Sequence, residues 1–214
     1  TPTNNFATMS SVDASWVYAT GQTVGPPTFS EGNLKLSHTT GSDGYEQARG
    51  TIAVQSGKWY FEALLKTSTD TYQAVGIATT STEALRHWGG QNAAQWVYQN
   101  NGNTINGSGG ESGFNTYAAG DIISVAFDCD AGKLWWAKNG TWEGSGVPAS
   151  GTNARYTNLA TQIASDGNPV AAFNVLFDAT SVWIYNFGSD SSFVAEKTAQ
   201  GNQDGNSKGD FYYE

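Results

Sequence analysis

The 214-residue chain carries 10 Lys and Arg against 19 Asp and Glu, a net charge of −9, with 26 Gly, 8 Trp, 10 Tyr, 10 Phe, 2 His and 1 Cys. No basic run is present to displace phosphate counterions, which argues against direct nucleic-acid binding. One cysteine cannot close an intramolecular disulfide, His38, His87 and Cys129 are too few and too scattered for a zinc framework, and no apolar stretch reaches the ~20 residues of a membrane span. A chain 13% aromatic, rich in Gly and only 14% charged points to β structure with many turns.

The predicted elements follow in chain order. Strands are expected over Leu34–Ser37, Gly50–Val54 and Lys58–Lys66. In the last of these Trp59, Phe61, Ala63 and Leu65 share one face, and Tyr60, Glu62 and Leu64 share the other. A strand at Ala74–Ala78 precedes Thr80-Ser81-Thr82-Glu83, which has capping-box spacing; about two turns of helix are expected there, ending at Gly89-Gly90. Trp96–Gln99 reads as a strand and Asn100–Gly113 as a Gly/Asn/Ser loop. Asp121–Asp128 and Lys133–Lys138 form a hairpin about the turn Cys129-Asp130-Ala131-Gly132. After the loop Gly144–Asn153 come strands at Val170–Leu176 and Ser181–Phe187, and then the polar run Thr198–Asp210, which cannot pack a core by itself. The expectation is an all-β, antiparallel two-sheet sandwich with one short helix in a loop. It forms a single domain over 1–197, and 198–214 is a ragged polar extension.

The strings SGKWYFEALL, AVGIAT, GDIISVAFDCDAGKLWWAKNGTW and VWIYNFGS, in this order between Leu34 and Phe193, resemble the SPRY family. The resemblance implies a concanavalin A-like sandwich that recognises ligands, usually protein segments, through loops at one rim, without catalytic machinery or a cofactor. The opening TPTNNFATMSSVD and the closing GNSKGDFYYE are similar to the flanks of SPRY modules in bacteriophage virion and tail-associated proteins. That implies a virion or otherwise extracellular location and a natural chain running on past Glu214. The peptide-contact motifs of the well-known eukaryotic members are not reproduced, so no ligand residue carries over.

Read for chemistry, Glu62 is the only acidic residue inside its strand, whereas a retaining glycosidase needs two carboxyls about 5 Å apart. Asp128 and Asp130 flank a hairpin turn, where Asp bonds its own backbone, and the chain returns to a strand too soon for a calcium loop. Cys129 has no evident base, and GSGGESG lacks the Lys-Ser/Thr of a phosphate loop. Trp59, Phe61, Phe127, Trp136 and Phe187 are expected in the core. Trp88, with His87, Gln91 and Asn92 around it, is the leading ligand-contact candidate, joined by Tyr45 in the early Gly/Ser loop, Trp142 after the Asn139-Gly140 turn, and Asn101. The expected partner is a host-surface glycan or protein, or another virion protein, with any oligomer formed through the full-length protein. The alternatives are a carbohydrate-active enzyme, with two carboxylates converging in a cleft, and an intracellular SPRY adaptor that captures a peptide.

Overall fold

The computed structural model describes residues 5–17, 25–39, 44–70, 72–107 and 109–213; Thr71, Ser108, Glu214 and the first four residues, which figure in the loops and flanks above, lie outside them. Fourteen strands are formed among the described residues: β1 Met9–Val17, β2 Thr28–Ser30, β3 Lys35–Ser37, β4 Tyr45–Val54, β5 Lys58–Thr67, β6 Ala74–Thr79 and β7 Gln95–Gln99. They continue with β8 Thr104–Asn106, β9 Gly109–Glu111, β10 Ile122–Asp128, β11 Lys133–Lys138, β12 Thr141–Trp142, β13 Val170–Leu176 and β14 Val182–Asn186. They make two antiparallel seven-stranded sheets, ordered β1-β4-β13-β6-β7-β8-β9 and β12-β11-β10-β5-β14-β3-β2. The mostly-β, two-sheet expectation holds.

The period of two explains the packing between the sheets. Phe61, Ala63 and Leu65 of β5, Ile123, Val125 and Phe127 of β10, and Leu134 and Trp136 of β11 meet Ala48, Val75, Ile77, Trp96 and Tyr98 of the opposite sheet. The aromatic rings meet edge to face: Trp136 lies 6.3 Å from Tyr98 and 6.1 Å from Tyr156, a geometry that suits their quadrupoles. The hairpin pairs Ile123 with Lys138 and Phe127 with Leu134, and Asp128 Oδ1 accepts the Ala131 N–H at 2.8 Å, so this aspartate serves its own turn. Trp59 departs from the core expectation. It lies where β5 begins, opposite Phe127, donates from Nε1 to the Ser56 carbonyl at 2.8 Å, and stays 45% exposed.

Among the described residues one short α-helix is present, α1 over Leu159–Asp166, which buries Leu159 and Ile163 and ends at Gly167 with φ +69°. Thr80–Arg86 was the expected helical segment, and it closes only a 3-10 turn at Thr82–Leu85. Ser81 caps nothing with its side chain; Thr79 Oγ1 donates to its hydroxyl at 3.0 Å, and the buried Arg49 takes its carbonyl.

The polar C-terminal run is docked along the outer face of the second sheet rather than loose. Phe193 packs with Leu64, Ile122 and Ile184, and Tyr212 and Tyr213 pack against that cluster. The fastening is Glu62, fully buried on β5. Its carboxylate accepts the backbone N–H groups of Tyr212 and Tyr213 at 2.9 and 2.8 Å, Tyr60 Oη–H at 2.9 Å and Asn186 Nδ2–H at 3.1 Å. The sequence provides a charge on a strand, and this sheet leaves it no water. A second buried carboxylate ties the sheets together: Glu46 of β4 accepts the Thr39 N–H at 3.0 Å and lies 3.7 Å from Nδ1 of His38, just past β3.

Two outcomes follow. Glu62→Gln puts an amide N–H where an acceptor is needed, and should lower stability by about 3 kcal/mol, or roughly 6–12 °C of thermal midpoint for a chain this size. Burial pushes the Glu46 carboxyl from its ordinary 4.5 up to about 7, against the opposing pull of His38 and Thr39. The folded state therefore holds this proton more tightly than the unfolded chain. The resulting stabilisation is complete below about 4.5 and is lost as pH rises through about 7. Urea unfolding from pH 5 to 8 should show wild type losing stability relative to Glu46→Gln; parallel curves would refute the assignment.

Candidate functional site

The outer face of the first sheet is also covered, and its cover carries the ligand-contact candidates. Residues 45, 47 and 49 of β4 point outward there. Arg49, buried and held by a bidentate pair with Asp13 at 2.6 and 2.8 Å, donates to the carbonyls of Thr79 and Ser81. Gln47 Nε2 donates to the His87 carbonyl at 2.8 Å, Ser15 Oγ to Leu85 O at 2.8 Å, and Gln95 Nε2 to the Ala84 carbonyl. Gln95 Oε1 takes the Gly90 N–H at 2.8 Å. The segment between β6 and β7 is thus laid flat on the sheet by side-chain donors that reach its carbonyls.

Gly89 and Gly90 permit this approach. A Cβ on Gly89 would stand 2.5 Å from Val175 Cγ2, and one on Gly90, where φ is +85°, 2.4 Å from Ile105 Cβ. These glycines are where the cover touches the sheet, and they do not stop a helix.

Trp88, immediately before them, is set face to face on Tyr45, with ring centroids 5.3 Å apart and planes 13° from parallel. Phe177 and Tyr72 complete the group. Phe177 lies 4.7 Å from Tyr45 and 4.9 Å from Tyr72, and Tyr72 lies 6.3 Å from Tyr45. Tyr45 is buried, while Trp88 and Tyr72 are 47% and 42% exposed. The result is a firm aromatic platform with one face open. Burial, Tyr72 and Asp70 push the Tyr45 hydroxyl up to about 12, so it stays protonated at neutral pH.

The other candidates divide. His87 is half-exposed beside Glu83, with Nε2 3.8 Å from its carboxylate, and Gln91 is exposed, its N–H bonded to the Trp88 carbonyl at 2.9 Å; both flank the platform. Asn92 is drawn into a turn, its Oδ1 accepting the Ala94 N–H at 2.7 Å. Asn101 does the same for the Asn103 N–H at 3.0 Å, between β7 and β8. Trp142 belongs to the other sheet, edge-on to Tyr60 at 6.4 Å. Tyr45 is the first residue of β4 rather than part of a loop. Sequence reasoning missed Tyr72 and Phe177. The signal for Phe177 was there, since Phe173, Val175 and Phe177 extend the outward alternation of β13 by one residue.

The groups tested for catalysis are occupied. Both Glu62 oxygens are filled by the donors described above. Cys129 is buried, and burial with the nearby Asp130 and Asp128 pushes its thiol up to about 11. Among the described residues no three His, Cys, Asp or Glu side chains are placed to hold a metal ion.

Comparison with known proteins bears on this arrangement. No curated protein sequence matches the chain. Among solved structures, the SPRY domain of human HERC1 superposes with a TM-score of 0.61 at 14% identity, over 83% of this chain and 96% of that one. A human SPRY domain does so at 0.59 and 16%, over 79% and 99%. At such identities the likeness is one of fold. Residues 58–157, from the start of β5 to just before α1, match the SPRY domain model. With the sandwich described above, residues 58–157 are similar to a SPRY domain in sequence and the chain resembles one in fold.

Proposed function

We propose that this domain is a non-enzymatic recognition module of a phage virion protein, and that it holds a host-surface glycan or protein against the platform of Trp88 and Tyr72. SPRY domains are generally non-enzymatic modules that bind protein partners. The observation that carries the reading is the Trp88–Tyr45 stack, 5.3 Å between centroids and backed by Phe177. An indole held flat by a buried ring loses little side-chain entropy when a ligand covers it. The platform is small and bordered by His87 and Gln91, which suits a partner presenting one apolar face among polar groups. The filled valences of Glu62 weigh against glycosidase chemistry, and the flanking segments that resemble those of phage proteins favour the virion setting over an intracellular adaptor.

Labelled domain should bind intact cells of a host strain, and Trp88→Ala should weaken binding by about tenfold or more, the effect of losing an aromatic anchor, while the thermal midpoint moves little because the side chain is half-exposed. Unchanged binding would dismiss the platform, and failure to bind any host would transfer the role to another virion component. With a net charge of −9, attraction to an anionic envelope is not the driving force. Binding should therefore change less than about threefold between 50 and 500 mM NaCl; a steep loss with salt would contradict a stereospecific contact.

A further inference from the structure

A second surface lies at the other end of the same strands. β4 begins at Tyr45 under the platform, and seven residues on, about 23 Å by strand rise, Ile52 reaches the wall of a cleft of about 980 Å³. The cleft runs from the open end of the sandwich onto the outer face of the second sheet. Ile52 comes from β4, Trp59 from the start of β5, Trp142 from β12, Val147 from the segment after it, and Phe211 from the docked C-terminal run. Ile52, Trp59 and Val147 are 37%, 45% and 44% exposed, and they are three of the seven exposed large hydrophobic residues among those described. The alternation of β5 assigns Trp59 to the core, yet the fold leaves it half in water. Its one polar atom is already bonded to Ser56, so what it offers is ring surface.

The charges around the cleft are unequal. Lys58 is the one cation among its lining residues, and its ammonium lies 4.0 Å from the Asp128 carboxylate. Asp204 lines the wall as well, and Asp130 stands at the turn before Lys58, accepting the Gly57 N–H at 3.0 Å. Two carboxylates, Asp128 and Asp204, and one ammonium line the apolar floor; just outside the lining Asp130 is offset by Lys208, which lies beside Asp204, so the walls keep an excess of one negative charge. Aliphatic walls such as Ile52 and Val147 give a sugar hydroxyl no partner but take an aliphatic or aromatic side chain well.

We propose that this cleft is a second docking site, which takes an extended peptide segment of a partner protein whose apolar side chains are flanked by Lys or Arg. The domain would then have two working ends: the platform for one ligand and the cleft for an attachment segment. This does not depend on the function assigned to Trp88.

A bead-displayed library of random heptapeptides, screened against the described chain, tests it. Enriched peptides should carry apolar residues next to Lys or Arg. The best of these, synthesised with a fluorophore, should lose about tenfold or more in affinity with Trp59→Ala, and weaken also with Val147→Ser, an exposed change that removes apolar surface without adding charge. Trp88→Ala should leave it unchanged, and replacing the peptide's Lys or Arg by Glu should weaken it. Enrichment of acidic peptides, no enrichment, binding that survives both cleft variants, or saturable binding of a neutral hexose oligomer in the cleft instead would each overturn the proposal. Loss with Trp88→Ala alone would assign the peptide to the platform and equally refute the cleft.

Discussion

The central strands of both sheets are buried on both faces, so each sheet carries a cover on its outside, and a buried ion helps to hold each cover. Arg49 reaches outward from β4 and donates to the carbonyls of the segment before β7. Glu62 reaches outward from β5 and accepts the amides of Tyr212 and Tyr213. The two are electrostatic complements: a cation meets the acceptor side of one irregular backbone, and an anion meets the donor side of another. Irregular segments have unpaired polar groups that cannot be buried without partners. A single buried charge with several hydrogen-bonding valences satisfies more of them than a neutral side chain could.

The functional surfaces follow from this covering. Because the donors of Arg49, Gln47, Ser15 and Gln95 fix four carbonyls of the first cover, Trp88 is held over Tyr45 at a defined height and angle rather than carried on a free loop. The second cover ends by placing Phe211 and Tyr213 along the cleft that also exposes Trp59. Platform and cleft thus sit at opposite ends of β4, on a core whose large aromatic side chains, Trp96, Trp136 and Trp183 among them, are wholly enclosed.

Much of the scaffold could be read from residue order. The alternation in β5, β10 and β11 placed Phe61, Val125 and Trp136 correctly, since a one-residue slip would have put each of them in the wrong layer. The turn role of Asp128 followed from the habit of short acidic side chains to bond nearby backbone. Less of the site was legible. Trp88 and Tyr45 were singled out separately, for their chemistry in polar surroundings, but nothing local said that they touch. Thr80–Arg86 carried a helix signal that the buried guanidinium of Arg49 outcompetes. α1 had a weaker signal, Leu159 and Ile163 one turn apart before Gly167, which a scan for capping boxes passes over.

The sequence by itself determined the class of fold, the hairpin about Cys129–Gly132 and a composition with one cysteine and no basic run. All of these depend on composition or on contacts between near neighbours in the chain. Only the tertiary structure decided what lies on the outer faces of the sheets. The decisive bonds join residues far apart in the chain, as Arg49 is joined to Thr79, 30 positions away, and Glu62 to Tyr212, 150 away. No periodicity encodes such pairs, because a buried charge on a strand looks in sequence like any solvated one until the fold shows which backbone it must satisfy.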